Sequence, residues 1–99
     1  MTSRSVVVGN QLGMHARAAA KFVHLATRFR SRIRVARDDR EIDGKSIMGI
    51  LLLAAARGAT ITISADGIDE GEAVGALTAL VTGGFGEDEA PAANTEGGR

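Results

Sequence analysis

The sequence predicts an α+β domain of two layers, with a four-stranded, mainly antiparallel sheet on one side and three helices on the other. Three observations carry this reading. Apolar residues recur every second position in some stretches and every third or fourth in others. Turn-forming pairs fall where the period changes: Gly9-Asn10, Asp38-Asp39, Asp43-Gly44, Asp66-Gly67 and Gly83-Gly84. The resulting order, β-α-β-β-α-β-α, lets the sheet bury one face under the helices.

Ser5–Val8 is short and β-branched and reads as the first strand. Ala16, Ala19, Phe22/Val23 and Ala26 follow helical spacing, so an amphipathic helix runs from Ala16 to about Arg28. Arg32–Arg37 alternates charged and apolar, a half-buried strand with Ile33 and Val35 inward and the arginines outward. Asp38-Asp39 turns it into a short return strand, Arg40–Asp43. Ser46 is placed to cap a short apolar helix from Ile47 to about Ala55, with Arg57-Gly58 ending it. Thr60–Ala65 alternates again, with Ile61 and Ile63 inward. Asp69 or a neighbour caps the last helix, which carries Ala73, Ala76/Leu77 and Leu80/Val81 on one face until Gly83-Gly84 stops it. Residues 86–99 are rich in acids, glycine and alanine without periodicity. They read as an acidic, disordered tail, leaving 1–85 as the single domain.

Composition excludes several classes. With no cysteine in 99 residues there is neither a disulfide framework nor thiolate chemistry, which fits a cytoplasmic location. The longest apolar stretch, Ile47–Ala56, is far short of the roughly 20 residues that span a bilayer. Met1–Arg4 leads straight into the first strand, so no secretory signal is expected. The three aromatics, Phe22, Phe29 and Phe85, offer no stacking platform for nucleic acid. Net charge is zero but polarised. Residues 1–57 hold eleven basic and four acidic residues (+7), and residues 58–99 one basic and eight acidic (−7). The basic half suits nucleic acid, an acidic protein partner or a phosphoryl group equally; a plain solvated basic face is its structural reading.

The chemistry concentrates in Asn10-Gln11-Leu12-Gly13-Met14-His15-Ala16-Arg17-Ala18-Ala19. His15 stands where a strand gives way to a helix, beside the glycine turn at Gly13. A lone histidine is more often a surface or satisfied residue than a catalytic one. Here, though, the free N–H groups of a helix start attract an anion, and Arg17 adds a fixed positive charge. A neutral imidazole is a nucleophile, so the segment suits a histidine that takes and releases a phosphoryl group. His24, nine residues on, falls on the opposite side of the helix at about 100° per residue, so the two cannot chelate one metal, and no metal site is expected. His24 reads as a solvent-facing rim residue. Ser46 reads as an N-cap and, compatibly, as a phosphorylation site, because a helix start tolerates phosphate. Ile47, Met48 and Leu51 read as core, with Met48 equally suited to an outward contact patch.

Asn10-x-x-Gly13-Met14-His15-Ala16-Arg17-x-Ala19, followed about thirty residues later by Asp43-Gly44-Lys45-Ser46-Ile47-Met48-Gly49-Ile50-Leu51, resembles HPr, the histidine-containing phosphocarrier family of the bacterial phosphoenolpyruvate-dependent phosphotransferase system. The resemblance covers about residues 3–85. It implies an open-faced β-sandwich, a four-stranded antiparallel sheet covered by three helices. It also implies that His15 is phosphorylated at Nδ1 by phospho-enzyme I and passes the group to enzyme IIA domains. Arg17 and the N–H groups of Ala16 and Arg17 would hold the phosphoryl oxygens. Ser46 matches the serine that an HPr serine kinase/phosphorylase modifies in many members. Ile47, Met48 and Leu51, with Ala20, His24 and Thr27 on the first helix, match the partner-docking surface. The implied protein is a monomer with no cofactor, serving sugar uptake or the related nitrogen-regulatory branch. Two departures stand out: Ala18 replaces a proline usual in the family, and the tail is longer and acidic. The alternatives are a regulatory adaptor of the same fold that transfers no phosphate and, from another class, a nucleic-acid binding module.

Overall fold

The computed structural model describes residues 1–87. Its strands are β1 (Thr2–Val7), β2 (Arg32–Arg37), β3 (Arg40–Asp43) and β4 (Thr60–Asp66), and its helices α1 (Ala16–Ala26), α2 (Ile47–Leu53) and α3 (Glu70–Thr82), followed by a 3-10 turn at Gly84–Gly86. The sheet order is β1-β4-β2-β3, with every pairing antiparallel.

Period-two alternation sets the register. Val6 faces Ile61, Val35 faces Ile63 and Ile33 faces Ala65, so all six side chains share the buried face. The opposite face is open to solvent. There the Ser3 and Ser64 hydroxyls pair at 2.8 Å, and those of Ser5 and Thr62 at 3.0 Å. β1 therefore starts three residues before the expected Ser5: pairing with β4, not apolar periodicity, orders Thr2–Arg4.

The helices close the other face. α1 buries Ala18, Ala19, Phe22, Val23 and Ala26. It ends two residues earlier than expected, because the N–H groups of Arg28 and Phe29 bond the carbonyls of Leu25 and Ala26 in tighter, 3-10-type turns. α3 buries Val74 and Thr78 besides Ala73, Leu77 and Val81, while Ala76 and Leu80 are only half-buried. Its inner stripe is thus rotated from the expected one.

α2 also stops before the expected Arg57-Gly58. Ala54 takes the left-handed conformation (φ 54°) that turns the chain. The helix's last carbonyls then find donors in the β2–β3 hairpin: Arg37 Nη1 donates to the Leu53 and Ala54 oxygens at 3.1 and 3.0 Å, and Arg40 Nη1 to that of Leu52 at 3.0 Å. Lys45 likewise donates to the Phe29 carbonyl and Lys21 to that of Phe85. Part of the basic excess of the first half therefore caps backbone ends.

Asp69 occupies the N-cap position of α3 but makes no side-chain cap bond. Its carboxylate instead accepts from the Ser31 hydroxyl (2.6 Å), the Arg30 N–H (2.8 Å) and the Ser31 N–H (2.9 Å), tying α3 to the end of the α1–β2 connection. The Ser31 hydroxyl bond, then the Arg30 N–H, hold this carboxyl at about 2, below its ordinary 3.8. A depressed folded-state value means the contribution is complete above about pH 4 and is lost as pH falls toward 2. Asp69→Asn should flatten that limb of the stability curve in urea melts between pH 6 and 2. Glu70, held at about 2 chiefly by the Thr2 hydroxyl, leaves a residual acid dependence. A variant with an unaltered pH profile would contradict this assignment.

Candidate functional site

The loop before α1 is clamped to the loop before β4. Met14 N–H bonds the Ala55 carbonyl at 2.9 Å, and Gly13 N–H bonds that of Asn10 at 3.1 Å. Gly13 has φ +66°, and a Cβ there would lie 2.8 Å from the Ala55 oxygen. Both the backbone angle and the close approach therefore require glycine. This turn delivers His15 to the N-cap position of α1 in an extended conformation (φ −75°, ψ 178°).

The His15 side chain does not cap the helix, although its carbonyl accepts from Ala19 N–H at 2.8 Å. The N–H groups of the first turn, those of Ala16 and Arg17 among them, are consequently without intrahelical partners, and no acidic residue in that turn neutralises them. His15 keeps 27% of its side chain exposed. It opens on a cavity of about 810 Å3 lined by Gln11, Leu12, His15, Arg17, Lys21, Gly86 and Glu87. The cavity thus brings the imidazole together with two cations beside a helix start. Ala18, where the family's proline would stand, is fully buried in the first turn.

The sequence reading missed one partner. Glu87 Oε2 lies 2.5 Å from His15 Nε2, and Glu87 Oε1 accepts from the Asn10 amide at 3.1 Å. The segment that carries it is anchored by Phe85, buried and left-handed at φ 59°, and by the bond from Lys21 Nζ to the Phe85 carbonyl at 2.6 Å. Burial pushes the Glu87 carboxyl up, but the hydrogen bonds from His15 and Asn10 and the charges of His15 and Lys21 outweigh it and hold it below its ordinary value. Of the tail expected over residues 86–99, Gly86 and Glu87 lie among the described residues, and 88–99 lies outside them. The available signal was Phe85, a large apolar residue just past the Gly83-Gly84 stop.

The remaining candidates divide between two helices. Ser46 caps α2, its Oγ accepting from Gly49 N–H at 3.0 Å. Of the residues read as core, Ile47, Met48 and Leu51 are all exposed, Met48 by 65%. Ile50 and Leu53 fill the core instead. Leu52 (63% exposed) and Leu12 (70%) also face outward, which the sequence reading did not anticipate. His24 and Thr27 are exposed on α1 and Ala20 is half-buried. Among the described residues no group of three metal-ligating side chains forms, and no helix is long and apolar enough to cross a membrane.

Comparison with known proteins shows the family. The family model described as "PTS HPr component phosphorylation site" matches residues 2–83. The chain belongs to the HPr family. The phosphocarrier protein HPr of Neisseria meningitidis serogroup A is 48% identical over 89 residues, covering 90% of this chain and all of that protein. The crystal structure of HPr-C-His from Thermoanaerobacter tengcongensis superposes with a TM-score of 0.85 at 42% identity, covering 88% of this chain and 98% of its own. The catabolite repression protein Crh of Bacillus subtilis, solved as a domain-swapped dimer, gives a TM-score of 0.69 at 39% identity over 85% of this chain and 97% of its own. The chain thus shares the HPr open-faced sandwich with the phosphocarrier family of the phosphotransferase system.

Proposed function

We propose that His15 accepts a phosphoryl group at Nδ1 from phospho-enzyme I and passes it to enzyme IIA domains, in sugar uptake or the related nitrogen-regulatory branch. The observation that carries this reading is the position of His15: a part-exposed imidazole at the N-cap of α1, opening on a cavity shared with Arg17 and Lys21. Arg17 and the N–H groups of Ala16 and Arg17 hold the transferred oxygens. Catalysis is then mainly positioning and charge stabilisation during in-line displacement. Enzyme I and enzyme IIA domains dock on the exposed apolar residues Ile47, Met48 and Leu51 with the α1 rim of Ala20, His24 and Thr27. The protein acts as a cytoplasmic monomer without cofactor. Incubation with phosphoenolpyruvate and a cognate enzyme I should add one acid-labile, base-stable phosphate. Its retention in His15→Ala would sink the assignment.

Phosphorylation of Ser46 by an HPr serine kinase/phosphorylase would place a dianion at the edge of this docking surface and weaken it by repulsion and desolvation. Ser46→Asp should slow phosphoryl transfer from enzyme I, read as the initial rate. A wild-type rate would exclude regulation by this route. The likeness to Crh favours one second reading, a regulatory adaptor that never transfers phosphate. The same incubation separates the two, because an adaptor stays unmodified at His15.

A further inference from the structure

We infer that Glu87 is the positioning carboxylate of His15: it holds the imidazole in the tautomer whose Nδ1 carries the lone pair, and it stabilises the ring once that nitrogen is phosphorylated. The inference deepens the phosphocarrier reading and rests on it.

The geometry is a relay of three side chains. Asn10 is buried, and its amide donates to the Gly13 carbonyl at 2.8 Å and to Glu87 Oε1 at 3.1 Å. Turning that amide over would set its oxygen against two acceptors, so the NH2 group must face them, leaving Oδ1 without a partner among the described residues. Such a buried orphan is unfavourable. It is tolerated here where the same amide fixes both the loop turn and the carboxylate. Glu87, with Oε1 so held, presents Oε2 to His15 Nε2 at 2.5 Å. An ionised carboxylate only accepts, so Nε2 must carry the proton. In the neutral ring the lone pair then resides on Nδ1. The backbone under Glu87 is equally constrained, by the buried Phe85 ring and the Lys21 bond to the Phe85 carbonyl.

This arrangement balances the transfer without moving a proton. The Nδ1 lone pair forms the new P–N bond while the bond to the donor's nitrogen breaks and its electron pair leaves with the donor. The Nε2 proton stays in place, so the phosphorylated ring carries a positive charge opposite the Glu87 carboxylate. On delivery the P–Nδ1 bond breaks, its pair returns to Nδ1, and neutral imidazole departs. Were Nε2 to lose its proton in the phosphorylated state, the leaving group would be an imidazolate, a far poorer one. The carboxylate thus plays the orienting and charge-stabilising part that a buried aspartate plays for a catalytic histidine.

The test uses the full chain, labelled with 15N, as wild type and Glu87→Ala. Phe85 and Lys21 remain, so the substitution removes the carboxylate and not the anchor. In the unphosphorylated wild type, the His15 ring nitrogens should report the Nε2–H tautomer at a pH where the ring is neutral. In Glu87→Ala they should report a mixture. Delivery of phosphate from phosphorylated Glu87→Ala to an enzyme IIA domain should be roughly tenfold slower or more, as for other supporting hydrogen-bond partners. An Nδ1–H tautomer in the wild type, or an unchanged tautomer and delivery rate in the variant, would overturn the proposal. The tautomer is read without phosphate, so a chain that enzyme I cannot phosphorylate would fail the phosphocarrier reading separately.

Discussion

Arg17→Ala is expected to slow phosphoryl transfer from enzyme I about 10²–10³-fold, the usual cost of deleting one preorganised charge-stabilising donor. The guanidinium is exposed and lines the cavity in front of His15. Its loss should therefore leave stability within about 0.5 kcal/mol of wild type. The effect belongs to the transition state, where charge spreads over the phosphoryl oxygens and a bidentate donor gains most. Arg17→Lys should fall between the two, because it keeps the charge and loses the planar fork. Rapid-quench measurement of phosphate arriving on His15 decides the point. A rate within twofold of wild type for Arg17→Ala would remove Arg17 from the site.

Phe85→Ala carries the largest expected effect on stability, a loss of about 3 kcal/mol in urea unfolding with an unchanged slope. Phe85 is among the largest fully buried side chains, yet it sits beyond the last helix in a left-handed conformation that a large side chain rarely adopts. Alanine keeps that backbone cost and forfeits the packing, so nothing offsets the cavity. Because a domain of this size is stable by only about 5–15 kcal/mol, the variant should remain folded at 25 °C but melt roughly 10–20 °C lower. A loss under 1 kcal/mol would mean that the segment after α3 is not part of the core.

The fold was legible because each strand alternates cleanly. Ile33, Val35, Ile61 and Ile63 all face the core as their spacing requires. The local geometry of the candidate site was legible at His15, Gly13 and Arg17 for the same reason, since a strand end, a left-handed glycine and a helix start are written in neighbouring residues. What depended on contacts distant in sequence was not legible. The end of α2 is fixed by Arg37 and Arg40 from a neighbouring hairpin, so Arg57-Gly58 looked like the stop. Asp69 looked like a cap, but tertiary donors from Arg30 and Ser31 claim its carboxylate. Glu87 meets His15 across 72 intervening steps of chain, from a stretch whose composition reads as tail. Ile47, Met48 and Leu51 were ambiguous because an apolar residue on a short helix looks the same whether it faces the core or a partner; here Ile50 and Leu53 take the core.

The most direct test of the phosphocarrier account is to locate the phosphate. After reaction with phosphoenolpyruvate and enzyme I, two-dimensional 1H–15N spectra of the histidine side chains should show phosphorylation on His15 Nδ1, with Nε2 still protonated and His24 unchanged. Phosphate on His15 Nε2, on His24, or on neither ring would contradict the account.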